Sequence, residues 1–429
     1  MRLAVIIAAA ILGAARGALA LAFDAPARLP GAGHGAALAS ADFDRDGRAD
    51  IAVAFPDTDS TWLFLPRAQG EAARVGPLRA GVGPSALLAT DLTGDDRADL
   101  VIANAVDDTV SLLAGRGDGS FATPRVIATA LAPSGLAAGD FDRDGRADLA
   151  VVSRYDDVVI VFRGAPDGGF VAGDPVPVPG GPSGVAAADL DRDGALDLVV
   201  GVDVADSAVW VLLGRRDGGF APPQRLDVGA LPGPPLVRDL TGDGVPDIAV
   251  ALTGDDAVAL CRGRGDGTFA PAVAMPVGAF PTGIAAADLD HDGALDLVSA
   301  DAFDDTLTVL RGTAGAFAAG EPIATGPLPV ALIAADIDRS RVADLVSVDA
   351  LGDGASLLRN ATDPGPACLG DCDDSRRVDI DELVRSVGIA LDRGSVAACL
   401  AADPDASATV TINELIAAVR SALDGCAAS

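Results

Sequence analysis

The sequence is poor in the side chains on which most enzymes depend. It contains 2 histidines, 1 tyrosine and only 4% aromatic residues, and its 31 basic residues are all arginines because lysine is absent. We find no nucleophile elbow, no phosphate-binding glycine loop and no zinc-ligand spacing. The composition therefore argues against an enzyme.

Positive charge is also scarce. The 62 acidic residues outnumber the 31 arginines and give a formal net charge of −31 at pH 7. A surface of this sign repels nucleic acid and anionic membranes, so we expect neither as a partner. Long apolar runs are absent beyond the N-terminal segment, and we expect no membrane span once that segment has been removed.

The N-terminal segment has the pattern of a signal peptide. Arg2 precedes an apolar stretch from Leu3 to Ala15, and Ala18-Leu19-Ala20 fits the small-residue cleavage pattern. We predict a signal peptide over residues 1–20 and secretion to the periplasm, cell surface or exterior; cleavage after Ala22 fits nearly as well. The alternative is an uncleaved anchor, which the short apolar core disfavours.

The abundant feature is a short acidic motif that recurs seven times. Its copies begin at Asp42, Asp91, Asp140, Asp189, Asp239, Asp288 and Asp336, and the steps between them are 49, 49, 49, 50, 49 and 48 residues. A fixed period of this size marks a repeat architecture. Around each motif, short β-branched apolar segments alternate with Gly, Pro and Asp, which predicts four strands per repeat.

The third copy shows the predicted unit most clearly, with strands at 135–138, 149–153 and 158–162 and a fourth that starts near Phe170. Apolar residues fall on both faces of these strands, so both faces are expected to be buried, as in a propeller blade between two neighbours. The predicted fold class is all-β, a seven-bladed β-propeller of four-stranded blades over residues 23–361, followed by a small helical C-terminal domain.

A second marker concerns the outer strand. Glycine-rich turns precede Phe121, Phe170, Phe220, Phe269 and Phe317, but none follows the seventh acidic motif. The N-terminal segment 23–29 has the same Phe/Ala/Pro character. We predict that it supplies the outer strand of the last blade, which would close the ring and remove an exposed strand edge.

The carboxylate spacing predicts Ca²⁺ loops. Hard Ca²⁺ takes six to eight oxygens, and a glycine permits the sharp turn on which alternate aspartates converge, whereas Mg²⁺ keeps more water. The alternative is that the aspartates only cap turns. Four copies carry Asp at loop positions 1, 3, 5 and 9: Asp42, Asp44, Asp46 and Asp50; Asp140, Asp142, Asp144 and Asp148; Asp189, Asp191, Asp193 and Asp197; and Asp288, Asp290, Asp292 and Asp296.

Three copies depart from this pattern. Copies 2 and 5 have threonine at position 3, and copy 2 has Asp96 where glycine is expected. Copy 7 has Ser340 at position 5 and Arg341 at position 6, whose positive charge predicts weak binding or none. Their expected ligands are Asp91, Thr93, Asp95 and Asp99; Asp239, Thr241, Asp243 and Asp247; and Asp336, Asp338 and Asp344. We therefore expect about four to six Ca²⁺ ions in the propeller.

The pattern DxDxDGxxD before an apolar strand, together with the GDGSF and GDGTF turns, resembles the FG-GAP/VCBS repeats, a family that includes the propeller of integrin alpha chains. The resemblance covers residues 23–361. It implies Ca²⁺ loops in which side chains at positions 1, 3, 5 and 9 and the carbonyl at position 7 bind the ion. The position-7 residues carried over are Arg48, Arg146, Ala195, Val245 and Ala294.

Two other recurring elements are interpreted as turns. The triplets Arg116-Gly117-Asp118 and Arg264-Gly265-Asp266 stand where other copies read APDGG or RRDGG, so the adhesion-ligand interpretation is not preferred. Acidic pairs recur between the second and third strands and fit hairpin turns; the alternative is a ligand-binding rim on one face. The pairs are Asp107-Asp108, Asp156-Asp157, Asp255-Asp256 and Asp304-Asp305.

Residues 362–367 form a Pro/Gly linker to a C-terminal module at 368–426. Its cysteines, Cys368, Cys372, Cys399 and Cys426, predict a disulfide-stapled domain with three possible pairings, of which 368–426 with 372–399 is weakly preferred. Cys261, alone in a blade strand, is expected to be a small buried apolar residue.

The module contains a duplicated acidic loop that ends in a glutamate before a helix. It resembles a dockerin, the paired EF-hand-like module that docks onto cohesins, which implies up to two weaker Ca²⁺ sites and a cohesin-like partner. Serine at position 5 and the missing glycine at position 6 weaken the metal prediction, and a purely structural cap is the alternative. The expected ligands are Asp371, Asp373, Ser375 and Glu382, and Asp403, Asp405, Ser407 and Glu414.

The predicted function is a secreted, monomeric, calcium-binding recognition or adhesion module for an extracellular glycan or protein, anchored or docked by its C-terminal module. One alternative is a carbohydrate-active enzyme, a polysaccharide hydrolase or lyase, in which paired carboxylates would act as acid and base. Another is a structural surface component without a soluble ligand.

Overall fold

The computed structural model describes residues 21–31, 33–67, 72–202, 208–313, 315–352 and 354–362. The predicted signal peptide and the predicted C-terminal module, with its eight expected ligands and four cysteines, lie outside these described residues. The described chain is built from β-strands and one 3₁₀ turn at Pro56–Thr58. It contains no helix that is long and apolar enough to cross a membrane.

The strands form one blade for each acidic motif. The chain begins with β1 (Ala27–Pro30), and blade 1 then contains β2 (Ala37–Ala41), β3 (Asp50–Phe55), β4 (Ser60–Leu65) and β5 (Ala73–Leu78), and blade 2 contains β6 (Pro84–Thr90), β7 (Asp99–Asn104), β8 (Thr109–Leu113) and β9 (Arg125–Ala128). Blade 3 contains β10 (Pro133–Gly139), β11 (Asp148–Ser153), β12 (Val158–Gly164), β13 (Phe170–Ala172) and β14 (Val176–Pro177), and blade 4 contains β15 (Pro182–Ala188), β16 (Asp197–Val202), β17 (Ala208–Leu212) and β18 (Gln224–Asp227). Blade 5 contains β19 (Leu236–Arg238), β20 (Asp247–Leu252), β21 (Ala257–Cys261) and β22 (Val273–Pro276), blade 6 contains β23 (Pro281–Ala287), β24 (Asp296–Asp301), β25 (Thr306–Leu310), β26 (Gly312–Thr313), β27 (Ala316–Phe317) and β28 (Glu321–Ala324), and blade 7 contains β29 (Pro329–Ala335), β30 (Asp344–Asp349) and β31 (Gly354–Leu358).

Each blade is an antiparallel meander that runs from the ring axis to the rim. In blade 1 the order is β2-β3-β4-β5, and the other blades repeat it, with β13 and β14 both pairing with β12 in blade 3. Inner strands of neighbouring blades touch around the axis, except that β23 of blade 6 touches β20 of blade 5, and β2 touches β29, so the first and last blades meet. The predicted seven-bladed propeller of four-stranded blades is confirmed.

Burial explains the sequence of each strand. The second strand of every blade, such as β3 or β11, is buried along its whole length, because neighbouring blades cover both of its faces. The outer strands are largely exposed, as in β9 and β18. Cys261 lies in β21 within an apolar cluster, and burial raises the pKa of its thiol to about 12, which confirms the expected buried residue.

The N-terminal strand closes the ring as the sequence predicts. β1 pairs antiparallel with β31, so that Ala27 faces Leu357 and Pro30 faces Gly354. Leu29 is only 7% exposed and belongs to an apolar cluster that also contains Phe55 of blade 1 and Leu357 of blade 7. The first strand of the chain thus joins the last blade and packs against the first.

A repeated apolar contact joins neighbouring blades. The residue at loop position 2 packs against the phenylalanine that follows the glycine-rich turn of the next blade. Phe43 and Phe121 have ring centroids 5.4 Å apart, and Phe141 and Phe220 have centroids 6.2 Å apart, both edge to face. Such pairs add about 0.5–1.5 kcal/mol beyond the burial of their area.

We call the packing of β1 and blade 7 against blade 1 the closing contact. It can be tested with Leu29→Ala. Removing a buried leucine side chain costs about 2–5 kcal/mol, and here the cost falls on the contact that completes the ring. We expect a clear drop in the midpoint of urea unfolding. Leu131→Ala makes the same chemical change at a residue that is 48% exposed and is expected to have little effect. Equal effects of the two substitutions would contradict closure by β1.

Candidate metal centres

The seven acidic loops lie on one face of the ring. Each connects the first and second strands of a blade, and because the strands are antiparallel, the glycine-rich turn between strands 3 and 4 lies at the same end. We call this end the carboxylate-loop face. The opposite end, which carries the hairpins between strands 2 and 3 and the connections between blades, is called the hairpin face.

Backbone N–H groups hold the carboxylates in place. In the first loop, Asp42 accepts hydrogen bonds from the N–H groups of Asp46 and Gly47 at 3.0 and 2.8 Å, and Asp44 accepts one from Asp46 at 3.1 Å. Asp50, at position 9, accepts one from Phe43 at 2.8 Å. The loop is therefore shaped by its own aspartates before any ion is considered.

The same backbone conformation occurs in all seven loops. Positions 4 and 6 are left-handed throughout, with φ of 60° at Arg45 and 80° at Gly47 in the first loop. Two loops adopt it at position 6 without glycine, at Asp96 with φ 60° and at Arg341 with φ 70°. These two residues are strained, since a side chain disfavours this region.

The loops bring three of the predicted ligand positions together. In five loops, one carboxylate oxygen from each of positions 1, 3 and 9 lies within 4.8 Å of the other two. Such a cluster can hold a metal ion. The clusters are Asp42, Asp44 and Asp50; Asp140, Asp142 and Asp148; Asp189, Asp191 and Asp197; Asp288, Asp290 and Asp296; and Asp336, Asp338 and Asp344.

Position 5 is not part of these clusters. Asp46 accepts a hydrogen bond from the N–H of Arg48 at 2.9 Å and pairs with its guanidinium at 2.8 Å. Asp144 and Arg146 repeat the arrangement in the third loop. The family resemblance implies that the backbone carbonyl at position 7 binds the ion. In these two loops the side chain of the position-7 arginine pairs with the position-5 carboxylate.

The variant loops differ in the number of clustered carboxylates. In loops 2 and 5 threonine supplies no third carboxylate, and the N–H groups of Thr93 and Thr241 donate to the position-9 aspartate at 2.9 and 3.0 Å. In loop 7 the three carboxylates converge despite Arg341. Its weak binding, expected from the charge of that arginine, stays a prediction, because the carboxylate arrangement itself is retained.

Burial makes the position-9 carboxylates hard to ionise without a cation. It raises the pKa of Asp50 and Asp296 to about 7 and that of Asp197 and Asp344 to about 6. Hydrogen bonds from backbone N–H groups oppose the rise, and the neighbouring carboxylates at positions 1 and 3 add to it. A divalent ion among the three groups would remove both penalties.

One orphaned oxygen tests whether the residues fit an ion. In other blades, Oδ1 of the position-9 aspartate accepts a hydrogen bond from the backbone N–H of the residue 16 positions later. The N–H of Gly115 donates to Asp99 at 2.8 Å, and the N–H of Gly164 donates to Asp148 at 2.8 Å. In blade 1 the residue at that offset is Pro66, which has no N–H, and Oδ1 of Asp50 is buried without a hydrogen-bond partner. Oxygen-rich surroundings with an unsatisfied carboxylate suit a hard cation.

The repeat of this chain is shared with known proteins. The sequence profile of the FG-GAP-like repeat matches residues 42–102, 91–151, 147–200 and 239–299, which together cover just over half of the chain. The chain belongs to the FG-GAP-like repeat family. No curated protein matches the sequence significantly.

Two solved structures resemble this FG-GAP propeller. The first, BBS1N in complex with ARL6DN, soaked with lead, is 12% identical with a TM-score of 0.55, and the match covers 80% of this chain and 97% of that one. It supports the fold alone. The second, an Agrocybe aegerita lectin that recognises non-reducing terminal N-acetylglucosamine, is 19% identical with a TM-score of 0.48, covering 66% of this chain and 79% of that one.

Contacts between neighbouring loops of the FG-GAP ring were missed by the sequence analysis. The position-4 side chain reaches the position-6 carbonyl of the next loop: Arg143 Nε donates to Gly194 at 2.9 Å, and His291 Nε2 lies 2.8 Å from the carbonyl oxygen of Arg341. Arg45 and Arg192 make the equivalent contact. The signal in the sequence is a basic residue or histidine at position 4 of five loops.

The other two loops leave cavities at this place. Position 4 is Gly94 in loop 2 and Gly242 in loop 5, the same loops that carry threonine at position 3. A cavity of about 300 Å³ adjoins Gly94 and blade 3, and one of about 460 Å³ adjoins Gly242 and blade 6. The Thr-Gly substitution thus removes both a carboxylate and the side chain that would bridge to the next blade.

The remaining acidic residues of interest form turns. In both arginine-glycine-aspartate triplets the aspartate accepts hydrogen bonds within the turn, from Ser120 to Asp118 and from Thr268 to Asp266, each N–H contact at 3.0 Å. The acidic pairs lie in hairpins on the hairpin face, as interpreted from the sequence. Their carboxylates hold the connections between blades, as when Asp108 accepts the N–H of Ala132 at 2.8 Å.

The raised pKa values predict an unusual pH dependence for the ion-free protein. The pKa of Asp50 is about 7 in the folded protein, against an ordinary value of 3.8, so this carboxyl binds its proton more tightly in the folded state than in the unfolded state. Stability in a chelator should therefore fall as pH rises from about 4 to about 7. Thermal melts across this range test it.

Two comparisons sharpen the pH test. Asp50→Asn removes one titrating group and should make the dependence shallower. With excess Ca²⁺ the trend should reverse, because protons compete with the ion for the same oxygens. If the protein in chelator becomes steadily more stable between about pH 4 and about pH 7, the prediction is contradicted.

Proposed function

We propose that this protein is a secreted, calcium-stabilised recognition or adhesion module whose hairpin face binds an extracellular glycan or protein. The observation that carries the metal part is the convergence of three carboxylates, one of them fully buried, in five of the described loops. FG-GAP propellers are generally binding or adhesion modules rather than enzymes, which supports the recognition part.

Calcium is the ion best suited to the clusters. All of the clustered groups are carboxylates, without nitrogen or sulfur donors, and this donor set favours hard cations over zinc or copper. Extracellular calcium modules commonly have a Kd of about 10⁻⁴–10⁻³ M. At ten times its Kd each site adds roughly 1.4 kcal/mol of stability, so several sites together would make the fold calcium-dependent.

The hairpin face offers a surface for recognition. Tyr155, Phe303, Val106 and Leu351 stand at the hairpins and are 76%, 66%, 68% and 69% exposed. Phe280, on the connection into blade 6, stacks on Phe303 with a centroid distance of 4.4 Å. Exposed apolar and aromatic side chains grouped on one face are typical of interaction sites.

The hairpin face is also held in shape. Leu131 donates its N–H to Asp156 of its own blade at 2.8 Å, and the next residue, Ala132, donates to Asp108 of the preceding blade. Phe280 is held in the same way by Asp256, at 2.9 Å. A binding surface fixed in this manner loses little conformational entropy when a ligand binds.

Secretion and docking rest on the sequence alone. The signal-peptide pattern and the dockerin-like duplication support an exported protein whose C-terminal module anchors it, through a cohesin-like partner and with up to two further Ca²⁺ ions. The clusters of three acidic groups found among the described residues all belong to the blade loops, where they are candidate metal sites, and a polysaccharide hydrolase or lyase stays the alternative. Release of reducing sugars from a polysaccharide panel would support that alternative.

The metal sites can be tested by calorimetric titration of Ca²⁺ and by thermal melts with and without chelator. Asp140→Asn with Asp142→Asn should remove one site and reduce the Ca²⁺-dependent gain in melting temperature, since a Ca²⁺ loop without these charges binds weakly. Asp167→Asn, at an exposed turn of the same blade, is the matched control. A wild-type melt that chelator leaves unchanged would overturn the calcium assignment.

The recognition surface can be tested by binding to arrays of extracellular glycans and proteins. Tyr155→Ser with Phe303→Ser should weaken the binding of any selected ligand by about tenfold or more, because exposed aromatic anchors dominate such interfaces. Val126→Ser with Val273→Ser changes two residues that are each 59% exposed on outer strands and should have no effect. Binding lost equally in both double variants would contradict a site on the hairpin face.

A further inference from the structure

A cavity of about 530 Å³ opens where the last blade meets the first. One wall is β1 with the end of β31, and the other comes from β3, β4 and β5 of blade 1. Its lining is mainly apolar and includes Leu29, Ile51, Phe64 and Leu357. It lies near the rim of the ring, away from the hairpin face, and its lining includes none of the clustered aspartates.

A departure from the repeat stands in the lining of this cavity. Ala72 stands 49 residues before Phe121, at the place where other blades carry the phenylalanine that follows the glycine-rich turn. That ring packs against loop position 2 of the preceding blade, as Phe121 packs against Phe43. At the closing contact, Ala72 packs against the apolar cluster that contains Ile337, and a methyl group occupies the place of a ring.

Arginines surround the cavity although the protein is strongly acidic. Arg28, Arg67, Arg74 and Arg359 line it, and no acidic residue is among the described residues that do so. The chain as a whole has 62 acidic residues against 31 arginines, so four arginines in one lining are a local reversal of charge, although Arg28 also interacts with Asp349 and Arg359 with Asp338. The closing contact therefore combines an apolar floor with a cationic rim.

Two of these guanidinium groups are positioned by contacts that leave charge available. Arg74 lies over the ring of Trp62, 3.6 Å from its centroid, and donates to the carbonyl of Gly31 at 3.3 Å. Burial lowers the pKa of Arg74, which fits a cation without a close counter-charge. Among the described residues, Arg359 forms a loose ion pair, with its Nε 3.9 Å from Asp338.

We propose that this cavity binds a small organic anion with a flat apolar body, such as an aromatic carboxylate or sulfonate. The volume falls in the range of about 300–1,000 Å³ usual for small-molecule sites. The apolar floor would take the ring that Ala72 leaves out. Guanidinium groups bind planar oxyanions through paired hydrogen bonds, which favours an acid over a neutral ligand.

The probe for the test is 1-anilinonaphthalene-8-sulfonate, an aromatic sulfonate that fluoresces in apolar sites, titrated into the full chain with calcium present. We expect saturable binding by the wild type. Ala72→Phe, which restores the side chain found in other blades, should weaken binding by about tenfold or more without lowering the melting temperature. Benzoate should compete with the probe.

Arginine variants keep the proposal testable if Ala72→Phe fails to fold. Arg67→Gln with Arg359→Gln should weaken the binding of the probe by about tenfold while the melting temperature stays unchanged. Arg116→Gln, at the position of blade 2 that corresponds to Arg67, is the matched control and should bind as the wild type does. The proposal is overturned if the wild type shows no saturable binding, or if the double arginine variant binds as tightly as the control.

Discussion

The aspartate at loop position 9 is the residue on which the rest of each blade depends. It is fully buried in all seven blades, as at Asp50, Asp99 and Asp148. It begins the second strand, accepts the N–H of loop position 2 through Oδ2 and, in most blades, accepts an N–H from the turn after the third strand through Oδ1. One carboxylate thus joins the acidic loop, the buried strand and the neighbouring turn. Because burial penalises a charged carboxylate, this group needs either a proton or a nearby cation. This requirement links the fold of a blade to its metal chemistry.

The blades are coupled to one another through the same loops. Loop position 2 supplies the apolar contact to the next blade, as in Phe43 with Phe121, and position 4 supplies a polar one, as in Arg143 with Gly194. An ion that orders one loop would therefore also steady the contacts with its neighbour. These contacts are interrupted where Gly94 and Gly242 replace the position-4 side chain and where Ala72 replaces the phenylalanine, so the coupling links particular pairs of neighbouring blades.

The repeat made most of the fold predictable. Period, strand pattern and the unmatched Phe23 segment led to seven blades and to closure by the N-terminal strand. The loop geometry was harder to foresee. That Asp46 would turn towards Arg48, while Asp42, Asp44 and Asp50 converge, depends on which backbone N–H groups each carboxylate can reach. Spacing along the chain does not encode such a choice. The recurring basic residue at position 4 is visible in the sequence, but the residue that Arg143 reaches in the next blade depends on how the blades pack.

The departures from the repeat are more informative than the repeat itself. In a ring of similar blades, features common to all seven serve the common structure, whereas a site for one ligand needs an asymmetry. Blade 1 departs twice in the same turn. Pro66 replaces the glycine whose N–H would satisfy Asp50, and Ala72 replaces the phenylalanine that would fill the closing contact. The first change leaves a buried oxygen without a protein donor, and the second places a small side chain in the lining of an apolar cavity beside four arginines. Both stand beside the strand that the N-terminal segment adds to the last blade, so the point at which the chain closes its ring also departs from the repeat.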